Sequence, residues 1–358
     1  MRSRAGCPDQ HGLVPEDGWD PSCQLPSALV WPTRIDPDGR TGPTRGQAQR
    51  ARWRACARGW YVPRETDSLV PEQRILEQAV RVANTGAVTG WASLRWRGGA
   101  YFDGLSHGGR STRPVPLLRS AGDIPRSALA QLSKAQLGLT ERESVAGIWC
   151  TTTQRALFDE MRFDLLRGAV VSLDMAAAAG LISVRLFATY VAQRRAWTGV
   201  PLVRQALALA SENSRSPQES RLRLVWTIDA GLPSPLCNQP VFDLNGNLLG
   251  YPDLFDPEAG LVGEYDGAHH RSGARHCRDV RREAKFRDHG LEYVEIVGGD
   301  LSDREAVVRR IHRARSRARF LKPEKRKWTL SPPPDWPTPP TLDVRLERAG
   351  LVSALTHT

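Results

Sequence analysis

Lysine is scarce in this chain: of 50 basic residues only Lys134, Lys285, Lys322, Lys325 and Lys327 are lysines. The basic character therefore rests on arginine, part of which simply stands in for lysine on solvated faces. Long apolar runs are also missing. None approaches the ~20 residues needed to cross a bilayer, which argues against a membrane helix. The basic N-terminus lacks the apolar stretch of a secretory signal. The six cysteines, Cys7, Cys23, Cys56, Cys150, Cys237 and Cys277, are scattered with no CxxC pair. That spacing argues against a disulfide framework and predicts reduced thiols in the cytoplasm.

What is present bounds the rest. A length of 358 residues, 40% apolar and 25% charged, predicts a globular chain of two or three domains with real cores. A net charge of +11 points to a polyanionic partner, with nucleic acid first and a membrane surface second.

Residues 1–40 hold Gly, Pro, Asp and Ser clusters without periodicity and read as an irregular segment, which an extended or misassigned start would explain. The next stretch, TGPTRGQAQRARWRACARGWYVPRETD, covers residues 41–67. Thr44 can cap a short helix, Arg58-Gly59 marks a turn, and Trp60-Tyr61-Val62 reads as a strand stopped by Pro63. One reading is an ordinary helix and hairpin with exposed arginines. The other is a winged helix, because the pattern resembles the N-terminal domain of AbiEi-type antitoxins. That resemblance implies a DNA-reading module over 41–70, a toxin partner, and phosphate contacts from Arg45, Arg50, Arg52 and Arg54.

Residues 71–213 are expected to be mainly helical, with Pro-broken strand-like pieces alternating with short helices over 111–150, an AbiEi-like middle domain with no catalytic constellation. Ile75, Leu76, Ala79 and Val80 share a helical stripe, as do Leu157, Phe158, Met161 and Leu165. Asp159 and Arg162 read as a surface pair of little energetic weight. Asp174 reads as structural.

The chemistry concentrates in residues 214–320. Ser216-Pro217-Gln218-Glu219 opens a helix, with Ser-x-x-Glu as a capping box and Pro pre-organised for the first turn. Capping is one role for Glu219, and a share in a metal site is the other. Three strands are expected next: 239–244, then 248–255 after the Asn245-Gly246 turn, then 261–266. Alternation puts Leu249, Tyr251, Asp253 and Phe255 on one face of the second, and Val262, Glu264 and Asp266 on one face of the third. Carboxylates gathered in this way repel unless a cation intervenes, and an oxygen-only set suits Mg²⁺ or Mn²⁺. A basic helix carrying Arg278, Arg282 and Lys285 on one face follows, then a strand at 291–297 and a last helix at about 303–320. His269, His270, His276 and Cys277 do not have the spacing of a zinc finger. From Arg304 to Lys327 there are eleven Arg or Lys against two Glu, either a solvated outer face or a backbone-tracking surface. The Pro-rich tail, 321–358, is expected to be disordered.

Glu219, then Pro252-Asp253, then Glu264-x-Asp266-Gly267-x-x-His270 resembles the PD-(D/E)XK nucleases, and more closely their very-short-patch-repair-like endonuclease branch. The resemblance covers roughly residues 214–320. It implies an α/β restriction-endonuclease-like domain with a mixed central sheet, in a multidomain α+β chain. It also implies metal ligands at Glu219, Asp253 and Glu264, and a catalytic set of Asp253, Glu264, Asp266 and His270. Nucleic-acid contacts from Arg278, Arg282 and Lys285 would join those from Arg45 and Arg52. The superfamily lysine, two residues after the second-strand acid, is here Asp266. His269 or His270 is then expected as acid or base, or Lys285 or Arg282 as the missing cation. A DNA-binding regulator with an inactive nuclease fold, and a protein–protein module with merely surface acids, are the rival expectations.

Overall fold

The computed structural model describes residues 29–82, 85–106, 109, 111–119, 127–267 and 273–351, except the side chains of 273–280. Among these residues the architecture is α+β, with eleven α-helices and four small sheets. No helix in them is long and apolar enough to cross a membrane.

The first unit follows its local signals. Helix α1 (Arg45–Ala48) is a single turn closed by a reciprocal capping box between Thr44 and Gln47. Strands β1 (Trp53–Ala57) and β2 (Trp60–Pro63) form an antiparallel hairpin turned at Arg58-Gly59, where Gly59 takes φ +76°. Arg54 does not face outward with its neighbours. It reaches Glu77 at 2.7 Å and Ser68, locking the hairpin to helix α2 (Pro71–Ala79). Arg45, Arg50 and Arg52 remain exposed.

The middle of the chain keeps the expected helices, and the strand-like pieces of 111–150 join Gly86–Val88 in a sheet that was not expected. That sheet is five-stranded and mixed, and is threaded among the helices. Strand β3 (Gly86–Val88) precedes helix α3 (Gly90–Trp96), then come β4 (Val115–Arg119), β5 (Ala130–Ser133), β6 (Arg142–Val145) and β7 (Ile148–Thr151). Their order is β5-β4-β3-β7-β6. Three to five residues are too few to display alternation, and β3 is buried on both faces. Helices α4 (Thr153–Met161), α5 (Leu166–Ala178), α6 (Val184–Ala192) and α7 (Val200–Leu209) complete the unit. Trp91, Trp96, Phe158 and Phe187 fill one core between them. Asp159 is not a surface residue. Its side chain is 5% exposed, pairs with Arg155 at 3.0 Å and Arg162 at 3.2 Å, and accepts from the Thr89 hydroxyl.

Helix α8 (Pro217–Leu224) joins this core to the next unit and runs into a π-helical turn, Val225–Asp229. Leu224 belongs to the middle core, whereas Leu222 and Trp226 belong to the C-terminal one. The expected second strand is two strands in different sheets. Strand β8 (Val241–Asp243) pairs with β9 (Leu248–Gly250), and β10 (Leu254–Asp256) pairs instead with β11 (Leu261–Asp266). Pro252 lies at the break, where it can donate no ladder bond. Helix α9 (Gly273–Asp288) then crosses to β12 (Glu292–Val297), which pairs parallel with β11. Helix α10 (Arg304–Arg317) follows.

The β10-β11-β12 sheet is mixed and covered on both faces. Leu254, Leu261, Val294 and Ile296 pack with Trp226, Val307 and Ile311 on one side. Phe255, Val262 and Tyr293 pack with Phe286 of α9 and Trp328 on the other. By alternation Glu264 lies on the α9 face. The tail is ordered as far as it is described. Strand β13 (Trp328–Thr329) adds to β8, Trp336 meets Phe242 edge-on, and helix α11 (Leu342–Arg348) buries Leu342 and Leu346 in the middle core.

Candidate functional site

The site is assembled where α8, the loop before β10, β11 and α9 meet. Glu219 sits in the first turn of α8, with its backbone N–H bonded to the Ser216 hydroxyl at 3.2 Å. Its carboxylate performs the predicted capping task, one residue further out than the motif implies. Oε2 accepts from the backbone of Arg215 and from Asn238 Nδ2, each at 2.8 Å, and Oε1 takes neither bond. Asn238 is a residue that the sequence reading missed. It stands at φ +49°, a conformation that Asn tolerates better than most residues, and its N–H donates to the Pro252 carbonyl at 3.0 Å. It thus ties the α8 acid to the Pro252-Asp253 segment.

Asp253 is not on a strand. It lies in the β9–β10 loop, and its Oδ2 accepts from the Tyr265 N–H of β11 at 2.8 Å. Burial, and then the nearby Glu219 carboxylate, push its pKa up to about 6, against the Tyr265 N–H, Arg282 and Arg215, which favour the charged form. Glu264, 4% exposed, is held by Arg282 Nη2 at 2.7 Å. The two form one neighbourhood with Tyr293, whose phenol is pushed up by burial and by Glu264. Arg282 therefore interacts with both Asp253 and Glu264.

The sequence candidates thus divide. Glu219 and Asp253 are brought together, and Glu264 joins them through Arg282. Asp266 follows at the end of β11, half-buried. Lys285 is exposed, one turn beyond Arg282, so the predicted basic face splits into an inward and an outward residue. His269 and His270 lie outside the described residues, as do the side chains of Arg278, His276 and Cys277. Arg215 and Tyr265 also belong to the site, the latter through a backbone N–H that no sequence pattern advertises.

Among the described residues no group of three His, Cys, Asp or Glu is preassembled around a metal position. The donor chemistry nonetheless fits a hard divalent cation, since the acids are oxygen donors and two of them repel. Glu264 is held by Arg282.

The raised Asp253 carboxyl carries a stability consequence. A folded pKa near 6 against 3.8 means that the folded state binds the proton more tightly. The ionised carboxylate is therefore a burden above pH 6, eased as pH falls through 6 and gone below about 4. Asp253→Asn is expected to be about 1–3 kcal/mol more stable than the native chain at pH 8 and no more stable near pH 4. Urea unfolding at the two pH values checks this.

No family model matches the chain, and no solved structure matches it. Two uncharacterized proteins of Mycobacterium tuberculosis, from two strains, are each 31% identical over 154 residues, or 42% of this chain. The aligned stretch spans 56% of each relative's length.

Proposed function

We propose that this chain is a DNA-binding protein whose C-terminal unit is a PD-(D/E)XK-like, metal-dependent endonuclease, acting in the cytoplasm. The observation that carries the reading is that Glu219 and Asp253 lie close enough to disturb each other beside β11, whose Glu264 shares Arg282 with Asp253. The order of α8, the β10–β11 pair, α9 and the parallel β12, with helices on both faces, supports a restriction-endonuclease-like domain.

In this reading Asp253 and Glu264 are the principal ligands and Glu219 the third. Mg²⁺ or Mn²⁺, when bound, would supply an activated water and offset charge on the scissile phosphate. The Tyr265 N–H orients Asp253, and Asn238 holds Glu219 beside it. Asp266, where a lysine is usual, leaves the general-base role to the 269–270 histidines. The test is metal-dependent nicking of plasmid by the native chain against Asp253→Ala and Glu264→Ala.

The Arg282–Glu264 ion pair favours a second reading, an antitoxin-like DNA-binding regulator built on a nuclease fold that does not cut. Both readings place DNA on the N-terminal hairpin unit, which resembles a winged helix and exposes Arg45, Arg50 and Arg52. Arg45→Ala with Arg52→Ala is expected to weaken duplex binding regardless of its sequence. It should also lower the slope of log affinity against log salt by about 2, nearly 0.9 per lost phosphate contact. Titrations of labelled duplex at several salt concentrations read both effects; an unchanged slope would remove these arginines from the interface.

A further inference from the structure

Arg282 sits at a position that the charge of the site makes unusual. Its guanidinium binds Glu264 at 2.7 Å and also draws the Asp253 carboxyl toward its charged form. It is thus a cation shared by two of the acids assigned to a metal. Its side chain is 36% exposed whereas that of Glu264 is 5% exposed, so the carboxylate is the fixed partner and the guanidinium the one that solvent reaches. The arm is also given room. Its stem lies across Gly250, where an added Cβ would meet Arg282 Cδ at 3.4 Å and Phe286 Cζ at 2.9 Å. A bulkier residue there would crowd both the stem and the ring that anchors α9.

We propose that Arg282 is a displaceable internal counter-cation: it holds Glu264 in the metal-free site and yields it when a phosphodiester draws the guanidinium away, so that divalent metal and nucleic acid load together. The inference rests on the metal-dependent reading above and makes Arg282 a positioning residue. Neighbouring acids repel without a cation, and a single guanidinium supplies one charge where a divalent ion supplies two. A phosphate offers the planar guanidinium a charged two-point contact. The guanidinium end of the pair is open to solvent, which leaves a phosphate a path to it. Because binding coupling is reciprocal, nucleic acid raises metal affinity by the factor by which metal raises nucleic-acid affinity.

Free Mn²⁺ is followed by electron paramagnetic resonance as it is titrated into the full chain, first without nucleic acid. Arg282→Met keeps the stem and removes the charge, and Arg282→Gln keeps a donor for Glu264. Either is expected to bind Mn²⁺ about tenfold more tightly than the native chain, within the usual span of coupling energies. Arg282→Lys, which retains the charge, should stay near the native value, and Glu264→Gln added to Arg282→Met should abolish the gain. A short phosphorothioate duplex should tighten Mn²⁺ binding to the native chain and leave Arg282→Met unmoved. Measurable native Mn²⁺ binding that neither neutral variant nor duplex improves would overturn the counter-cation role while leaving the metal site standing. No Mn²⁺ binding by any variant would remove both. If Arg282→Met fails to fold, Arg282→Gln and the duplex coupling of the native chain decide.

Discussion

Replacing Asp174 with alanine is expected to destabilise the chain by about 3–5 kcal/mol, enough to leave it largely unfolded at physiological temperature. Asp174 is fully buried in α5 and gathers three donors from the segment that opens the C-terminal unit. These are Arg223 Nη2 at 2.6 Å, the Ser220 hydroxyl at 2.6 Å and the Ser211 N–H at 2.8 Å. Burial still pushes its carboxyl above the ordinary value despite the guanidinium, so the pair endures a real desolvation penalty. Truncating the acid strands Arg223, which is 4% exposed and, among the described residues, keeps just the Leu209 carbonyl as a partner at its other terminal nitrogen. An uncompensated buried charge explains the size of the effect. The paired change Asp174→Leu with Arg223→Met should recover most of it, since removing both charges removes the penalty along with the attraction. Thermal and urea unfolding of the single and double variants read the difference. A loss under 1 kcal/mol for Asp174→Ala would mean that solvent reaches Arg223. Because α8 carries Glu219 one residue before Ser220, the same bond sets where the α8 acid stands relative to the sheet.

That dependence shows why some of the molecule was legible and some was not. Local signals translated directly into structure. Thr44 and Gln47 closed their capping box, Arg58-Gly59 and Asn245-Gly246 turned their hairpins, and Ser216 capped α8. The run at 261–266 became one strand with Glu264 on the α9 face. What failed was non-local. The middle sheet is made of pieces too short to have a period, and its pairing links residues tens of positions apart, as with Val88 and Cys150. Pro252 split an apparent strand between two sheets, so Asp253 reached the site from a loop. Arg54 and Asp159 looked like surface charges because their partners, Glu77 on one side and Arg155 and Thr89 on the other, were set by packing. The Pro-rich tail looked unable to fold alone, yet Leu342, Leu346 and Trp336 find their apolar partners on other units. Asn238 carried no motif because its task is geometric: it holds one acid beside another.

Asp253→Ala and Glu264→Ala are each expected to lower Mg²⁺- or Mn²⁺-dependent plasmid nicking by about a thousandfold, equivalent to roughly 4 kcal/mol of transition-state stabilisation. The two acids should fail for different reasons that separate experimentally. Asp253 receives the Tyr265 N–H and sits beside Glu219, so its loss removes a proposed ligand and relieves a repulsion; the protein should remain folded, and no less stable above pH 6. Glu264 is buried beneath Arg282, so its loss leaves a guanidinium without its carboxylate, and Glu264→Gln is the gentler control. Glu219→Ala should reduce nicking less than either and also loosen the first turn of α8, by about 1 kcal/mol, because the residue caps the helix besides its proposed ligand role. Equal nicking by the native chain and both alanine variants would assign the activity to a contaminant. No nicking by the native chain, with tight duplex binding that weakens steeply with salt, would favour the regulator. In that event the Arg282–Glu264 pair is a permanent neutralisation of the acids, and Mn²⁺ would fail to bind even the Arg282→Met variant.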